Sequence, residues 1–242
     1  MNSIMQLKEE LCEIGRRIWQ RGFCGGNEGN HSVRVGEDKL LCTPTGFSKG
    51  FMTPDMICLT DMEGTPIDES GPRVTSEIRI HLAIYRRRPD VRAVIHSHPP
   101  HALAFALAGI PLPEGMHPEA EVFLGRVPLA DYATPSTDDL ADSLVPHLGG
   151  YTNTILMRNH GSVCFEKSLT EAYYRLEILD NYCKALLLSR QIGGPRVLTA
   201  EEMQQLLAVK SRFNLNDNRS DDEVSAEGLK RRNAPFFAAE RM

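Results

Sequence analysis

Two histidines separated by a single residue follow the short apolar stretch 93–95. Because side chains at positions i and i+2 of a strand point to the same face, His96 and His98 would project together. Pro99 cannot continue a hydrogen-bonded ladder, so the pair stands where the strand opens into a loop. Two imidazoles on one side of a strand end provide most of a zinc site. The alternative is that the two rings only satisfy hydrogen bonds at the strand terminus.

A third histidine has the same local context. His160 follows the apolar run 154–157 and is flanked by Asn159 and Gly161. Three neutral imidazoles at converging strand ends would hold Zn²⁺ and leave a fourth position for water or substrate. Alternatively, His160 is a turn residue that bonds a backbone carbonyl.

A carboxylate precedes the histidine pair. The pattern predicts a helix that is capped by Ser76, carries Glu77 in its first turn and packs His81 and Tyr85 on the core. A glutamate there commonly only complements the helix dipole. Thr75 and Ser76, however, add hydroxyls beside the exposed N–H groups, which suits an anion. A glutamate beside an anion site and a metal could be a general base or a fourth ligand.

Two glycine-marked turns fit the same chemistry. Gly29-Asn30 and Thr45-Gly46 allow backbone N–H groups to approach an anion closely, although plain hairpin turns would look alike. The chain has no Walker motif and no G-x-G-x-x-G after a strand, so nucleotide cofactors are not indicated.

The elements that must position these residues alternate irregularly between helices and strands. Their order predicts an α/β fold, a three-layer αβα sandwich around a mixed or antiparallel sheet, over residues 1–213. Residues 214–242 turn polar and lose periodicity. We expect this tail to be mobile or ordered only against a neighbouring subunit.

Composition excludes several functional classes. The 242 residues are 41% hydrophobic and 24% charged, with a net charge of −5, and contain no basic stripe for nucleic acid or a membrane surface. Six scattered cysteines are typical of a reducing compartment. The first residues lack the pattern of a signal peptide, so we expect a cytoplasmic protein.

Taken together, five motifs resemble the class II aldolase/adducin family over residues 4–213, a family that includes sugar-phosphate aldolases and 4-epimerases. They are Gly29-Asn30-His31-Ser32-Val33-Arg34, Thr43-Pro44-Thr45-Gly46, Thr75-Ser76-Glu77, His96-Ser97-His98-Pro99 and Asn159-His160-Gly161.

The resemblance implies an αβα sandwich assembled as a homotetramer, with metal sites at subunit interfaces. It implies one Zn²⁺ per subunit held by His96, His98 and His160. It also implies that Glu77 is a ligand able to swing away and act as acid/base. The substrate phosphate would be cradled by Asn30, Thr45, Gly46, Thr75 and Ser76.

The chain departs from the family where aldolases carry a tyrosine that helps to protonate the aldehyde product. Here the region reads Met116-His117-Pro118-Glu119, and Tyr132 comes only later. His117, Glu119 and Glu121 are candidates to replace that acid, with loop surface as the alternative.

These observations favour a zinc-dependent aldolase that cleaves a small phosphorylated ketose into an aldehyde and dihydroxyacetone phosphate. A sugar-phosphate 4-epimerase and a sugar-acid-phosphate decarboxylase or dehydratase are alternatives on the same scaffold. A non-catalytic, adducin-like assembly module would have no need for the three histidines and Glu77 together. An unrelated zinc hydrolase is disfavoured, because H-E-x-x-H is absent.

Overall fold

The computed structural model describes residues 3–68, 70–217 and 219–239. None of the helices in these ranges has the length and apolar character needed to cross a membrane. The helices are α1 (Ile4–Gln20), α2 (Ile78–Arg87), α3 (Pro100–Ala108), α4 (Asp138–Leu144), α5 (Leu169–Arg190), α6 (Ala200–Arg212), α7 (Asp221–Val224) and α8 (Ala226–Ala238).

Within the same ranges the strands form one sheet. They are β1 (Asn30–Val35), β2 (Lys39–Cys42), β3 (Cys58–Asp61), β4 (Ala93–Ser97), β5 (Leu129–Ala130), β6 (Thr154–Met157) and β7 (Gly161–Glu166). Their order is β3-β2-β1-β4-β7-β6-β5. Every neighbouring pair is antiparallel except β5 and β6. The mixed, mostly antiparallel sheet is therefore confirmed.

Helices cover both faces of this sheet. Successive residues of β4 face opposite layers, as the alternation of a strand requires. Ile95 packs in a core with Leu11 of α1 and Leu176 of α5, whereas Val94 packs with Ile84 of α2 and Leu144 of α4. The predicted three-layer αβα sandwich is confirmed, and its central strand ends at the histidine pair.

The sequence predicts that the tail after residue 213 is mobile or ordered only against a neighbouring subunit, whereas its described residues pack on their own chain. This segment contains α7 and α8, and Phe236 of α8 stacks on Phe105 with ring centroids 6.0 Å apart. Its polar sequence is misleading because charged groups are buried in pairs. The guanidinium of Arg219 lies 3.1 Å from Glu114 and 2.6 Å from Glu121, and all three side chains are buried. Packing against a neighbouring subunit stays a prediction.

We expect Arg219→Met to lower the free energy of unfolding by about 3 kcal/mol, because removing one partner of a buried ion pair leaves an uncompensated charge. Urea titration followed by circular dichroism measures the loss. Arg86→Met is the matched control, since Arg86 pairs with Glu63 on the surface and such pairs contribute about 1 kcal/mol or less. Equal losses in both variants would contradict the buried role of Arg219.

Candidate metal centre

The three histidines with predicted metal-binding roles lie together in the folded chain. His96 belongs to β4, His98 follows that strand, and His160 lies in the turn between β6 and β7. Their ring centroids are 4.9 Å apart for His96 and His98, 4.8 Å for His96 and His160, and 5.2 Å for His98 and His160. One ligand atom from each residue lies within 4.8 Å of the others. We call these residues the histidine cluster.

Local backbone geometry explains why the rings converge. Asn159 adopts the left-handed conformation (φ 57°), which lets the chain turn tightly between β6 and β7. Gly161, which follows His160, lies directly against His98. A Cβ at position 161 would meet His98 Cδ2 at 2.5 Å and the Ser97 carbonyl oxygen at 2.8 Å. Glycine is therefore required there for the His98 ring to approach His160.

We expect Gly161→Ala to weaken zinc binding by roughly 10- to 100-fold, because the new methyl group displaces the His98 ring. Competition with a chelating dye measures the affinity. Gly149→Ala is the matched control, since a Cβ at position 149 meets nothing within 4 Å. Unchanged affinity in Gly161→Ala would show that His98 can shift without loss of the site.

The proton positions on the rings suit a cation. His96 Nδ1 donates to the Ser162 carbonyl oxygen at 2.9 Å, which leaves the His96 Nε2 lone pair free. His98 Nε2 lies 3.1 Å from that atom. Burial, reinforced by the neighbouring His96 and His160, lowers the pKa of His98 to about 4. One nitrogen from each of the three rings thus lies close to the other two, and this donor set fits a zinc ion.

The Glu77 carboxylate completes the group. Its Oε2 lies 3.3 Å from His96 Nε2, and its Oε1 lies 3.3 Å from His160 Nε2. Burial raises the pKa of Glu77, but the adjacent His160 and His96 rings outweigh it and hold that pKa well below the usual range. Glu77 is therefore an ionised carboxylate that lies against the histidine cluster.

The start of α2 differs from the prediction. Ser76 does not cap the helix; Glu77 occupies the cap position, with φ −106° and ψ 22°, and its side chain makes no capping hydrogen bond. The Thr75 carbonyl accepts the Ile78 N–H at 3.3 Å instead. Glu77 thus turns its carboxylate to the histidine cluster rather than to the helix N–H groups.

Four of the five residues expected to bind phosphate lie on adjoining segments. Thr45 N–H donates to the Arg73 carbonyl at 2.9 Å, and Pro44 bridges Val74. These contacts place the exposed turn at Gly46 (φ 82°) beside the segment that carries Thr75 and Ser76. Their binding of phosphate stays a prediction.

Asn30 lies in a different position from the other four. It pairs with His96 across β1 and β4 and is buried. Its Nδ2 donates to Glu77 Oε2 at 2.9 Å, and its Oδ1 lies 2.6 Å from His81 Nε2. The sequence places His81 in the packed face of α2 without a role. The sequence does contain one indication of a role for His81, because it lies on the packed face of α2 four residues after Glu77, the candidate base.

The candidates for a second acid do not join the cluster. His117 stacks on Tyr182 with centroids 5.8 Å apart, and its Nε2 lies 3.4 Å from Glu119 Oε2. Glu121 is buried against Arg219, so its carboxylate is part of the packing. Within the described residues, none of these contacts reaches the histidine cluster.

Comparison with known proteins gives a consistent result. Residues 9–187 match the family model described as Class II Aldolase and Adducin N-terminal domain. The L-fuculose phosphate aldolase of Methanocaldococcus jannaschii is 34% identical over 182 residues, 75% of this chain and 96% of that protein. The 3-oxo-tetronate 4-phosphate decarboxylase of Escherichia coli K12 is 32% identical over 206 residues, 83% of this chain and 94% of that protein. The crystal structure of YgbL from Klebsiella pneumoniae matches with a TM-score of 0.78 at 28% identity, covering 85% of this chain and 100% of that chain.

Proposed function

The chain belongs to the class II aldolase and adducin family, and from this premise we propose that it is a zinc-dependent lyase acting on a small phosphorylated ketose. The first candidate reaction is aldol cleavage to an aldehyde and dihydroxyacetone phosphate. One observation carries the proposal. Three imidazoles and an ionised carboxylate, 83 residues apart at the extremes (77 to 160), converge at one point.

His96, His98 and His160 would hold the ion, one per subunit. When bound, zinc would act as a Lewis acid that makes negative charge on substrate oxygens less costly. The chain itself supplies the proton chemistry. In aldol cleavage the electron pair of the broken C–C bond stays on the ketone fragment as an enediolate. Glu77 would return a proton to that carbon.

The other end of the substrate would be held by Thr45, Gly46, Thr75 and Ser76. Backbone N–H groups at a turn with positive φ and hydroxyls before a helix are good phosphate partners. Gly46 and Ser76 are exposed, so a ligand can reach them. This arrangement would place the phosphate apart from the carbon that exchanges its proton at Glu77.

Decarboxylation of a 3-oxo sugar-acid phosphate is the second candidate, and a specific observation favours it. Aldol cleavage needs a base to remove the hydroxyl proton of the leaving aldehyde, yet His117 contacts Glu119 and Tyr182 rather than the cluster. Loss of CO₂ from a 3-oxo acid leaves a similar enediolate without that proton removal. Glu77 alone would then suffice.

The missing second acid/base could also come from a neighbouring subunit. We propose a homotetramer with sites at subunit boundaries, where His117 of one subunit serves the histidine cluster of the next. Mixed tetramers of Glu77→Gln and His117→Ala subunits would regain activity only in this arrangement.

A substrate panel tests the proposed function. Zinc-loaded protein is incubated with ketose 1-phosphates and with 3-oxo sugar-acid 4-phosphates, and aldehyde, epimer and CO₂ are measured separately. Aldehyde release supports the aldolase and CO₂ release supports the decarboxylase. Turnover of unphosphorylated sugars at equal rates would contradict the phosphate cradle, and no product from any compound would contradict the lyase.

A further inference from the structure

A continuous chain of buried hydrogen bonds leads away from Glu77 on the α2 side of the sheet. Asn30 Nδ2 lies 2.9 Å from Glu77 Oε2, and His81 Nε2 lies 2.6 Å from Asn30 Oδ1. Ser32 Oγ then lies 2.7 Å from His81 Nδ1 and 2.9 Å from the Tyr85 hydroxyl. All five side chains are buried. We call this group the Glu77 relay.

The side-chain repeats of one helix and one strand bring the residues of the relay together. The α2 segment presents positions 77, 81 and 85 at four-residue intervals, on one side of the helix. Strand β1 presents positions 30 and 32 on one face of the sheet, two residues apart. Side chains from helix and strand therefore alternate along the relay. Polar residues fill a stripe where the same patterns would otherwise place apolar ones.

The protons of the relay have only one consistent arrangement. Asn30 donates through Nδ2 to Glu77 Oε2, so its Oδ1 is the acceptor that faces His81. His81 must then donate through Nε2. Burial lowers the pKa of His81 to about 3, so the ring is neutral and its Nδ1 accepts from Ser32. From Ser32 to Glu77, each hydrogen bond thus points towards Glu77 Oε2.

The two oxygens of Glu77 are consequently unequal. Oε2 accepts from Asn30 at 2.9 Å, whereas Oε1 is buried and has no hydrogen-bond partner among the described residues. Both oxygens also contact the histidine cluster, Oε1 at 3.3 Å from His160 Nε2 and Oε2 at 3.3 Å from His96 Nε2, so the Asn30 hydrogen bond is what distinguishes them. A proton carried by Oε1 faces the cluster, while one on Oε2 would displace the Asn30 donor.

We propose that His81 is a positioning residue, which acts through Asn30 to hold the Glu77 carboxylate so that Oε1 is the atom that exchanges the substrate proton. This inference rests on the acid/base role of Glu77 in the proposed function. His81 itself touches neither substrate nor metal. The proton passes between the substrate carbon and Oε1, and the relay keeps its own protons.

Two substitutions at position 81 test the proposal. His81→Leu removes the donor to Asn30, and we expect kcat to fall by roughly 10- to 100-fold, as for other residues that orient a functional group. KM should stay within about twofold, with about one zinc per chain. His81→Gln restores an N–H donor and should recover most of kcat. Equal kcat losses in both variants, or a loss carried by KM, would overturn the proposal.

Neutron diffraction of the zinc-loaded protein provides a readout that does not depend on turnover. We expect a deuteron on Nε2 of His81 and none on Nδ1. If His81→Leu fails to fold, Ser32→Ala takes its place and should lower kcat with KM unchanged. A deuteron on Nδ1 contradicts the relay alone, whereas a wild-type protein inactive on every panel compound contradicts the proposed function.

Discussion

We expect Glu77→Gln to lower the turnover number by roughly a thousandfold without loss of zinc binding. The amide has nearly the shape of the carboxylate and can still accept the Asn30 hydrogen bond, but it cannot carry a proton at physiological pH. General acid–base groups contribute about 10² to 10⁴ in rate, so a loss in this range is expected. Steady-state assays with the substrate found in the panel measure it, and metal analysis confirms the zinc content.

A second measurement isolates the proton step. Wild-type protein should exchange solvent deuterium into the ketone fragment, and Glu77→Gln should not. Glu63→Gln is the control, because that carboxylate is exposed and pairs with Arg86 on the surface. Deuterium exchange at the wild-type rate in Glu77→Gln would assign the acid/base role to another group.

The second large effect is on metal binding. His160→Ala removes one of three nitrogen donors, and we expect zinc affinity to fall by roughly a hundredfold or more. The apparent binding free energy of zinc in small protein sites is on the order of 10 kcal/mol and is shared among its ligands. Isothermal titration of metal-free protein with zinc measures the affinity.

His147→Ala controls for the general loss of a histidine. His147 ends the 3₁₀ turn Val145–His147, in a different part of the chain from the cluster. We expect this variant to bind zinc as the wild type does. Wild-type affinity in His160→Ala would leave only the His96 and His98 pair as a candidate site.

The grouping of the site was predictable from sequence because it depends on local signals. The i, i+2 spacing at the end of an apolar strand places His96 and His98 together, and a second apolar strand ends near His160. Both signals predict the site correctly, because the ends of neighbouring strands lie close together at one edge of a sheet. The helix before β4 likewise brings Glu77 to that edge.

The unpredicted features depend on contacts between distant residues. Asn30 looks like a turn residue beside a glycine, and only the β1–β4 register shows that it faces His96 and Glu77. Arg219 reads as part of a polar tail, although it pairs with Glu114, 105 residues away, inside the protein. Hydrophobic periodicity predicts the apolar faces of helices and strands, but it does not predict which charged residues are buried in pairs.

The position of His117 is a similar case. Its place in the sequence makes it a candidate to replace the acid of the family tyrosine, but only the fold shows that it stacks on Tyr182. Its contacts with Glu119 and Ala120 show how one chain places it. A role across a subunit boundary is a separate proposal.

The most direct test of the histidine cluster is X-ray absorption spectroscopy of the 242-residue chain after titration with zinc. We expect about one zinc per chain, with three imidazole nitrogens at roughly 2.0–2.1 Å and the remaining scattering from oxygen. A sulfur shell at about 2.3 Å, or no tightly bound zinc, would contradict metal binding by His96, His98 and His160.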